Sequence, residues 1–455
     1  MNFHTDTDAS GRPFEGVNAL IMGLGINGGG LESARFLARA GARVTVTDLR
    51  GEDVLAPSMA ALSQFDIRYV LGRHEMDDFK SADLVIKNPA VRPDSPYLQV
   101  AHRVETDISL FLAACPARIL AVTGSKGKSS TSSALAHALR QLGRRVWLGG
   151  NISVSPLSFL DELDGDSDVV LELSSWQLGD LRGKTTADGR ALLKPRVAII
   201  TTMLSDHMDR YGTMEKYVED KKEIYRGQDG ADVTIVLDDE WGRVFAAETP
   251  ARAVFYAPGG KGSSLVPPDV LAVGSHQRQN LLAAGLALVD LGFDPVAIGP
   301  ALASFPGIEH RLERFASFEG RVFYNDTAAT VPEAAAAAVA AFTEPVVLVT
   351  GGTDKLLDFA PLAEAACAVK ALIFFSGSGS DKLMPLLAEK GLSWLGPVDS
   401  AGAALEAAWK ASSPGDVILL SPGCASFGLF LNEFDRGRKW KAAVESFIAA
   451  QNDGH

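Results

Sequence analysis

Five short apolar runs limit what this chain can fold into, because each stops at a glycine-bearing turn. They are ALIMGLG (19–25), ILAVTGS (119–125), VVLVTGG (346–352), LIFFSGS (372–378) and VILLSPG (417–423). Continuous aliphatic and β-branched runs of this length suit strands covered on both faces. Helical patterns follow several of them, as in TSSALAHALRQLG (131–143) and PLAEAACAVKA (361–371). Strand alternating with helix predicts α/β domains on mainly parallel sheets. Ligands of such sheets bind beyond the carboxyl ends of the strands, where these glycine turns fall.

The 455 residues correspond to about three domains of roughly 150 residues each. The first begins at VNALIMG and runs to about RVETDISLF (103–111). The second closes near the Pro-Gly turn of SFPGIEHRLE (304–313), and the third follows it. The expected limits are 1–107, 108–307 and 308–455. The run PEAAAAAVAAF (332–342) predicts a helix starting after Pro332. A net charge of −13 argues against a nucleic-acid partner. Cys115, Cys367 and Cys424 lie far apart with no C-x-x-C, so neither a disulfide framework nor a zinc site is expected. The polar start MNFHTDTDASGRPFEG lacks an apolar signal core. No apolar stretch approaches the ~20 residues of a membrane span. The expectation is a soluble cytoplasmic monomer with no membrane partner.

GLGING (23–28) fits G-x-G-x-x-G between a strand and a helix, and Asp48 closes the next strand, ARVTVTD. Glycines permit the tight turn, and helix amides can face a pyrophosphate. A βαβ turn without a ligand carries the same letters, and a nicotinamide nucleotide would be one pyrophosphate among several. TGSKGKSS (123–130) is a stronger signal, since a glycine turn, a lysine and hydroxyl residues all precede a helix. It is too short for G-x-x-x-x-G-K-[ST], because Val122 stands where the first glycine would be. Its amides would grip phosphate oxygens, Lys128 would neutralise them, and Ser129 could reach magnesium. ELSSWQL (172–178) sets Glu172 at a strand end, where an acid near a phosphate loop can ligate magnesium. SDHMDRYGTMEKYVEDKKEIY (205–225) crowds Asp206, His207, Asp209 and Arg210 at the end of the strand RVAIITTML, ahead of a lysine-bearing helix. HRLE (310–313), YNDTAAT (324–330), GGTDKLLDF (351–359) and SPGCASFGLFLNEFDRG (421–437) complete the set. Singly, each reads as a cap, a turn or a solvated loop.

Together these motifs resemble the Mur ligase family, ATP-dependent enzymes that build the peptide of bacterial cell-wall precursors. TGSKGKSS matches the family loop TGTNGK[ST][ST], a shortened phosphate loop. GGNIS, ELSSWQL, DHMDRY, HRLE, NDTAAT, GGTDK and SPGCAS match along nearly the whole chain. The resemblance implies an N-terminal Rossmann-like domain for a UDP sugar and a central P-loop-type ATPase domain with a mainly parallel sheet. A C-terminal Rossmann-like domain would close over ATP and amino acid. It implies glutamate addition to UDP-N-acetylmuramoyl-L-alanine through an acyl phosphate.

By the same resemblance, Gly25, Ile26 and Asn27 hold the UDP diphosphate, Asp48 and Arg50 face the uridine, and Asn151 meets the muramoyl-alanine. Gly124, Ser125, Lys126, Gly127, Lys128, Ser129 and Ser130 hold the ATP phosphates, with Asn280 at the adenine, Arg311 at phosphate and Asp326 at the ribose. Thr330, Lys355 and Ser426 bind the glutamate carboxylates, a sensible pairing of hydroxyls and a cation with a dicarboxylate. Lys128, His207 and Lys221 are the implied catalytic residues. Two magnesium ions are implied, one on Ser129 and Glu172, the other on His207 and Lys221. Lys221 would be carbamylated, since an ammonium cannot ligate a cation; Lys222 is adjacent, and the Y-x-x-x-K spacing from Tyr217 selects Lys221. The chain departs from the family pattern at Thr202 (commonly Asn), at Ala328 (Lys in NDSKATN) and at Glu433-Phe434 (typically Phe-Glu). The last two leave both D- and L-glutamate open as acceptor. A kinase would rest on the phosphate loop alone, and a dehydrogenase on GLGING alone.

Overall fold

Each of the five apolar runs becomes an inner strand of a sheet, buried on both faces, as continuous hydrophobicity requires. The computed structural model describes residues 13–25, 28–152, 154–260, 262–268, 270 and 275–452. Among these residues the chain forms three sheets. The first holds β1 (Asn18–Met22), β2 (Arg43–Asp48), β3 (Ile67–Leu71), β4 (Leu84–Lys87) and β5 (Val104–Glu105), in the order β3-β2-β1-β4-β5. The second holds β6 (Arg118–Thr123), β7 (Val146–Gly150), β8 (Asp168–Glu172), β9 (Val197–Ile200), β10 (Val233–Leu237) and β11 (Arg252–Tyr256), ordered β11-β10-β9-β6-β8-β7. The third holds β12 (Glu313–Phe318), β13 (Arg321–Asn325), β14 (Val346–Gly351), β15 (Ala371–Phe375), β16 (Leu395–Val398) and β17 (Val417–Leu420), ordered β12-β13-β17-β14-β15-β16. Pairing is parallel apart from the β12–β13 hairpin.

The first two sheets belong to one compact unit, Met1–Leu265 with Gln279–Ala301, and the third to another, Val266–Arg278 with Leu302–His455. In the first unit a single buried cluster runs from Leu24, Leu37 and Ile86 through Ile108 and Phe111 to Leu171 and Ile200. The helix Asp107–Ala114 is its seam, opened by a reciprocal capping box between Thr106 and Ser109. The buried pair Lys87–Asp180, 2.5 Å apart, links the end of β4 to the residue after the helix Ser175–Gly179. In the second unit, alternate residues of the third sheet enter separate cores. Leu348, Phe374 and Leu419 face one side, and Val347, Ile373 and Ile418 face the other.

Two elements differ from expectation. The strand RVAIITTML closes at Ile200 because the groups of Thr201 and Thr202 bond to the TGSKGK loop instead of extending the ladder. The alanine helix, Pro332–Val339, begins on Pro332 itself, since its missing N–H costs nothing at the first helical position. Among the described residues no helix is long and apolar enough to cross a membrane.

Candidate active site

The loops that carry the sequence motifs gather at the carboxyl ends of the strands in all three sheets. In the first, the ends of β1, β2 and β4 border a cleft of about 480 Å³ lined by Gly23, Gly25, Asp48, Arg50, His74 and Asn88. The chain reverses its direction of winding between β1 and β4, the usual ligand position in a doubly wound sheet. Gly30 has no room for a side chain, since a Cβ there would lie 2.1 Å from the Gly23 carbonyl oxygen. The Asp48 carboxylate accepts the amides of Gly25 (3.1 Å) and Arg50 (2.9 Å), so it braces the glycine loop, while Arg50 is exposed at the mouth. Ile26 and Asn27 lie outside the described residues.

The loop between β6 and the helix Lys128–Gln141 is lashed to the chain leaving β9. The amides of Ser125 and Lys126 donate to the Thr202 carbonyl at 2.8 and 3.3 Å. The Thr201 hydroxyl donates to the Lys126 carbonyl at 2.7 Å. Ser125 Oγ accepts the Leu204 amide at 3.0 Å, donates to its carbonyl at 2.8 Å and stands 3.0 Å from the Tyr217 hydroxyl. Gly124 has φ 141°, and a Cβ there would lie 2.0 Å from Thr201 Oγ1. Gly127 has φ 91°, and a Cβ there would lie 2.4 Å from Asn280 Oδ1, so buried Asn280 packs directly on the loop. Lys128 Nζ donates to the carbonyls of Gly124 and Ser125, each at 3.0 Å. Ser129 and Ser130 occupy the first helical turn, half-buried.

Three further groups surround this loop. Glu172, at the end of β8, is 1% exposed; its Oε1 accepts from Asn151 Nδ2 at 2.9 Å, whereas Oε2 is buried without a partner. Lys221, also 1% exposed, donates from Nζ to the Gly124 carbonyl at 2.8 Å and to Thr123 Oγ1 at 3.3 Å, and lies over the Tyr217 ring. Burial, helped by the nearby Lys128 ammonium, holds its amine well below the usual lysine range. Lys222 turns the other way, to Glu248 at 2.9 Å, so of the two adjacent lysines the structure brings Lys221 to the loop. His207 is not at a strand end. It precedes the short helix Met208–Tyr211 with φ 55°, its ring 4.9 Å from that of Trp176.

In the second unit the loops after β13, β14 and β17 are joined to one another. Thr353 and Ala425 exchange backbone hydrogen bonds at 3.0 Å, and the Gly423 amide donates to the Ala329 carbonyl at 2.9 Å. Half-buried Thr330, exposed Lys355 and buried Ser426 are thus carried on neighbouring loops. Asp326 is buried; its carboxylate accepts from Ser421 Oγ at 2.7 Å and from the Leu312 amide at 3.0 Å. That amide belongs to the HRLE turn, whose exposed Arg311 acts on the Asp326 charge. Burial outweighs these partners and pushes the Asp326 carboxyl up to about 6. Ala328 lies on the loop after β13 and Glu433 opens the helix Glu433–Asn452: the Ala328 amide donates to the His310 carbonyl, and the Glu433 carbonyl accepts from Thr327 Oγ1 at 2.8 Å.

Comparison with known proteins matches the Mur ligase MurD-like N-terminal domain over residues 17–109, the Mur ligase middle domain over 122–265 and the Mur ligase glutamate ligase domain over 310–424. A UDP-N-acetylmuramoylalanine–D-glutamate ligase of Roseiflexus sp. (strain RS-1) is 42% identical, covering 95% of this chain and 99% of that protein. The chain belongs to the Mur ligase family. A protein of the same name from Treponema pallidum (strain Nichols) is 40% identical to this Mur ligase over 94% of the chain and 98% of its own length. The fold of the Thermotoga maritima UDP-N-acetylmuramate-alanine ligase MurC is similar, with a TM-score of 0.57 at 20% identity over 95% of this chain and 100% of that one.

One residue in each unit beside the candidate loops escaped the reading of the motifs. Arg436, fully buried, donates to Thr327 Oγ1 (2.9 Å) and carbonyl (3.0 Å) and to the Cys424 carbonyl (3.2 Å), stapling the NDTAAT loop to SPGCAS. Burial pulls its guanidinium down to about 10. Thr201 fills the space that Gly124 leaves. No spacing rule marks either, because both act on backbone groups distant in sequence. The Asp326 carboxyl also makes a pH prediction. Its folded value of about 6 lies above the ordinary 3.8, so the fold binds this proton more tightly than the open chain does. Stability should therefore fall as pH rises through that window, by on the order of 3 kcal/mol for this group, and level off above it. Urea unfolding across the window should show the slope in the native protein and a flatter profile in Asp326→Asn.

Proposed function

We propose that this chain is an ATP-dependent amide ligase of peptidoglycan precursor synthesis, joining D-glutamate to UDP-N-acetylmuramoyl-L-alanine with release of ADP and phosphate. The observation that carries the reading is that its relatives at 42% and 40% identity, matched along nearly their whole length, are named for this reaction. The proposed domains are 1–107 for the UDP sugar, 108–307 for ATP and 308–455 for the amino acid, acting as a soluble monomer in the cytoplasm.

The chemical problem is that a carboxylate is a poor electrophile and must meet a polyanion. An alanyl carboxylate oxygen attacks the terminal phosphorus of ATP, ADP leaves, and an acyl phosphate forms. The glutamate amine then attacks the acyl carbon through a tetrahedral intermediate and gives up a proton, and phosphate departs with the original carboxylate oxygen. The residues contribute mostly position and charge. Lys128, whose ammonium rests on the Gly124 and Ser125 carbonyls, takes the ATP phosphates. Gly25 and the adjoining helix start take the diphosphate, Arg50 the uridine and Asn151 the muramoyl-alanine. Asn280 contacts adenine, Asp326, ionised at neutral pH, accepts ribose hydroxyls, and Arg311 meets phosphate. Thr330, Lys355 and Ser426 take the two glutamate carboxylates.

The donor set also fits magnesium. Glu172 Oε2 is a buried carboxylate oxygen without a partner, a costly arrangement that a cation would relieve. Ser129 and Glu172 would hold one ion, His207 and a carbamylated Lys221 the other. Bound magnesium supplies charge neutralisation across the phosphates. The depressed Lys221 amine supports carbamylation, because only the neutral amine attacks carbon dioxide, losing a proton to leave an anionic oxygen donor.

The test is phosphate release by the purified protein with ATP, magnesium and UDP-N-acetylmuramoyl-L-alanine, comparing D-glutamate, L-glutamate and no amino acid. Release and ligated product that depend on D-glutamate are expected. A preference for L-glutamate would overturn the acceptor and implicate Ala328 and Glu433; release indifferent to both would overturn the glutamate assignment. Carbamylation is read separately, from a carbamate carbon resonance after incubation with isotopically labelled bicarbonate. The signal should be present in the native protein and absent in Lys221→Arg, and its absence from both would remove the carbamate from the site.

A further inference from the structure

His207 has an imidazole that its own surroundings do little to orient. The residue has φ 55°, a left-handed conformation uncommon outside glycine that persists only where its neighbours hold it. Its amide donates to Asp206 Oδ1 at 3.1 Å, which fixes the backbone and not the ring. The side chain is 45% exposed, and its Nε2 lies 3.9 Å from the Asp206 carboxylate, beyond hydrogen-bond length. A histidine that ligates a metal is ordinarily turned by a hydrogen bond at its other ring nitrogen. Here packing must supply the orientation.

Trp176 is placed to do so. Its ring centre is 4.9 Å from that of His207, with the planes at 52°, and 4.3 Å from the guanidinium carbon of Arg210. The electron-rich face of an indole attracts both kinds of group. A buried indole N–H usually finds an acceptor, yet Trp176 Nε1 is buried without a partner among the described residues. No hydrogen bond sets the place of this ring, so its packing does. The backbone beneath it is well anchored. Ser174 and Gln177 form a reciprocal capping box around it. At the far end of the same helix, a Cβ on Gly179 would lie 2.5 Å from Asp220 Oδ2, so the helix packs closely against the one that carries Lys221. Trp176 also follows Glu172 by four residues. One short segment after β8 thus carries both an acid proposed for the first ion and a ring packed on the histidine proposed for the second.

We propose that Trp176 is a positioning residue, whose indole holds the His207 imidazole in the orientation a metal ion requires. In this role, which rests on the magnesium reading above, Trp176 makes an exposed histidine usable as a ligand. The short span from Glu172 to Trp176 then keeps the two metal positions in fixed relation.

The experiment uses the full chain with its histidine rings isotopically labelled at nitrogen, and spin-active cadmium as the stand-in for magnesium. Direct ligation is read from the coupling between cadmium and a ring nitrogen, and the His207 signal is identified by its loss in His207→Gln. Wild type is compared with Trp176→Leu and Trp176→Phe. Trp176→Leu should need about tenfold or more cadmium to reach the same coupling at His207, and Trp176→Phe should recover most of the difference. In the ligation assay, Trp176→Leu should lose kcat at low magnesium and regain it as magnesium is raised, with the KM for the UDP sugar within about twofold of wild type. Wild-type cadmium coupling in Trp176→Leu would overturn the proposal and leave the ligase reading standing. A raised KM for the UDP sugar at unchanged kcat would also overturn it, by making the ring a wall of the substrate site. A measurement on wild type alone decides the matter should Trp176→Leu fail to fold. The nuclear Overhauser contact between the two rings should persist when magnesium is added, and its loss would overturn the proposal. If the wild-type His207 ring couples to no cadmium, the magnesium reading fails and this role with it.

Discussion

The site of the first unit depends on the strap from Thr201 and Thr202 to the phosphate loop. The second sheet could have continued β9 past Ile200. Instead the backbone of Thr202 and the hydroxyl of Thr201 are given to Ser125 and Lys126. Glycine at 124 is the counterpart of this choice, because any side chain would occupy the Thr201 hydroxyl's position. Once the loop is tied down, Ser125 Oγ holds both backbone groups of Leu204 and so draws in the segment that leads to His207. The Gly124 carbonyl is left pointing at Lys221. A few hydrogen bonds between two strand ends therefore position a lysine, a histidine and a helix start. Backbone groups are well suited to this, since their geometry leaves little rotamer freedom to lose.

Buried charge is the second theme, and in each case its environment accounts for it. Arg436 is buried in the second unit, and its guanidinium joins the loop after β13 to the loop after β17. Asp326 is held by Ser421 and the Leu312 amide, and burial still leaves its carboxyl near 6. The Lys87–Asp180 pair lies between the first two sheets with both partners nearly excluded from water. Such pairs are weak evidence for stability and are better understood as fixing one arrangement over others. Glu172 is the exception, with one oxygen satisfied by Asn151 and the other buried without a partner.

The strands were legible from apolar continuity, and their order placed the motif loops at one end of each sheet, as the pattern of glycine turns implied. The glycine turn of 123–130 and Glu172 at its strand end could be read from local spacing, whereas the grip of Asp48 on the Gly25 amide, 23 residues away, could not. What could not be read was contact between distant backbone groups. The early end of β9 is invisible in RVAIITTML, whose letters favour a longer strand; the bond to another loop overrides them. Arg436 looks like an ordinary charge at the start of a helix until the fold brings Thr327 and Cys424 to it. Lys221 and its neighbour Lys222 differ in the sequence only by the Y-x-x-x-K spacing from Tyr217, and the fold sends them to different sides, one toward Gly124 and the other toward Glu248.

The central claim is that the chain activates a carboxylate by passing phosphate to it at this loop. The most direct measurement uses UDP-N-acetylmuramoyl-L-alanine labelled with heavy oxygen in the alanyl carboxylate, followed by mass analysis of the phosphate released during ligation. Direct attack on the terminal phosphorus of ATP requires a labelled oxygen to leave with the phosphate. Labelled phosphate is the predicted result. Unlabelled phosphate, formed while the amide product accumulates, would contradict the account.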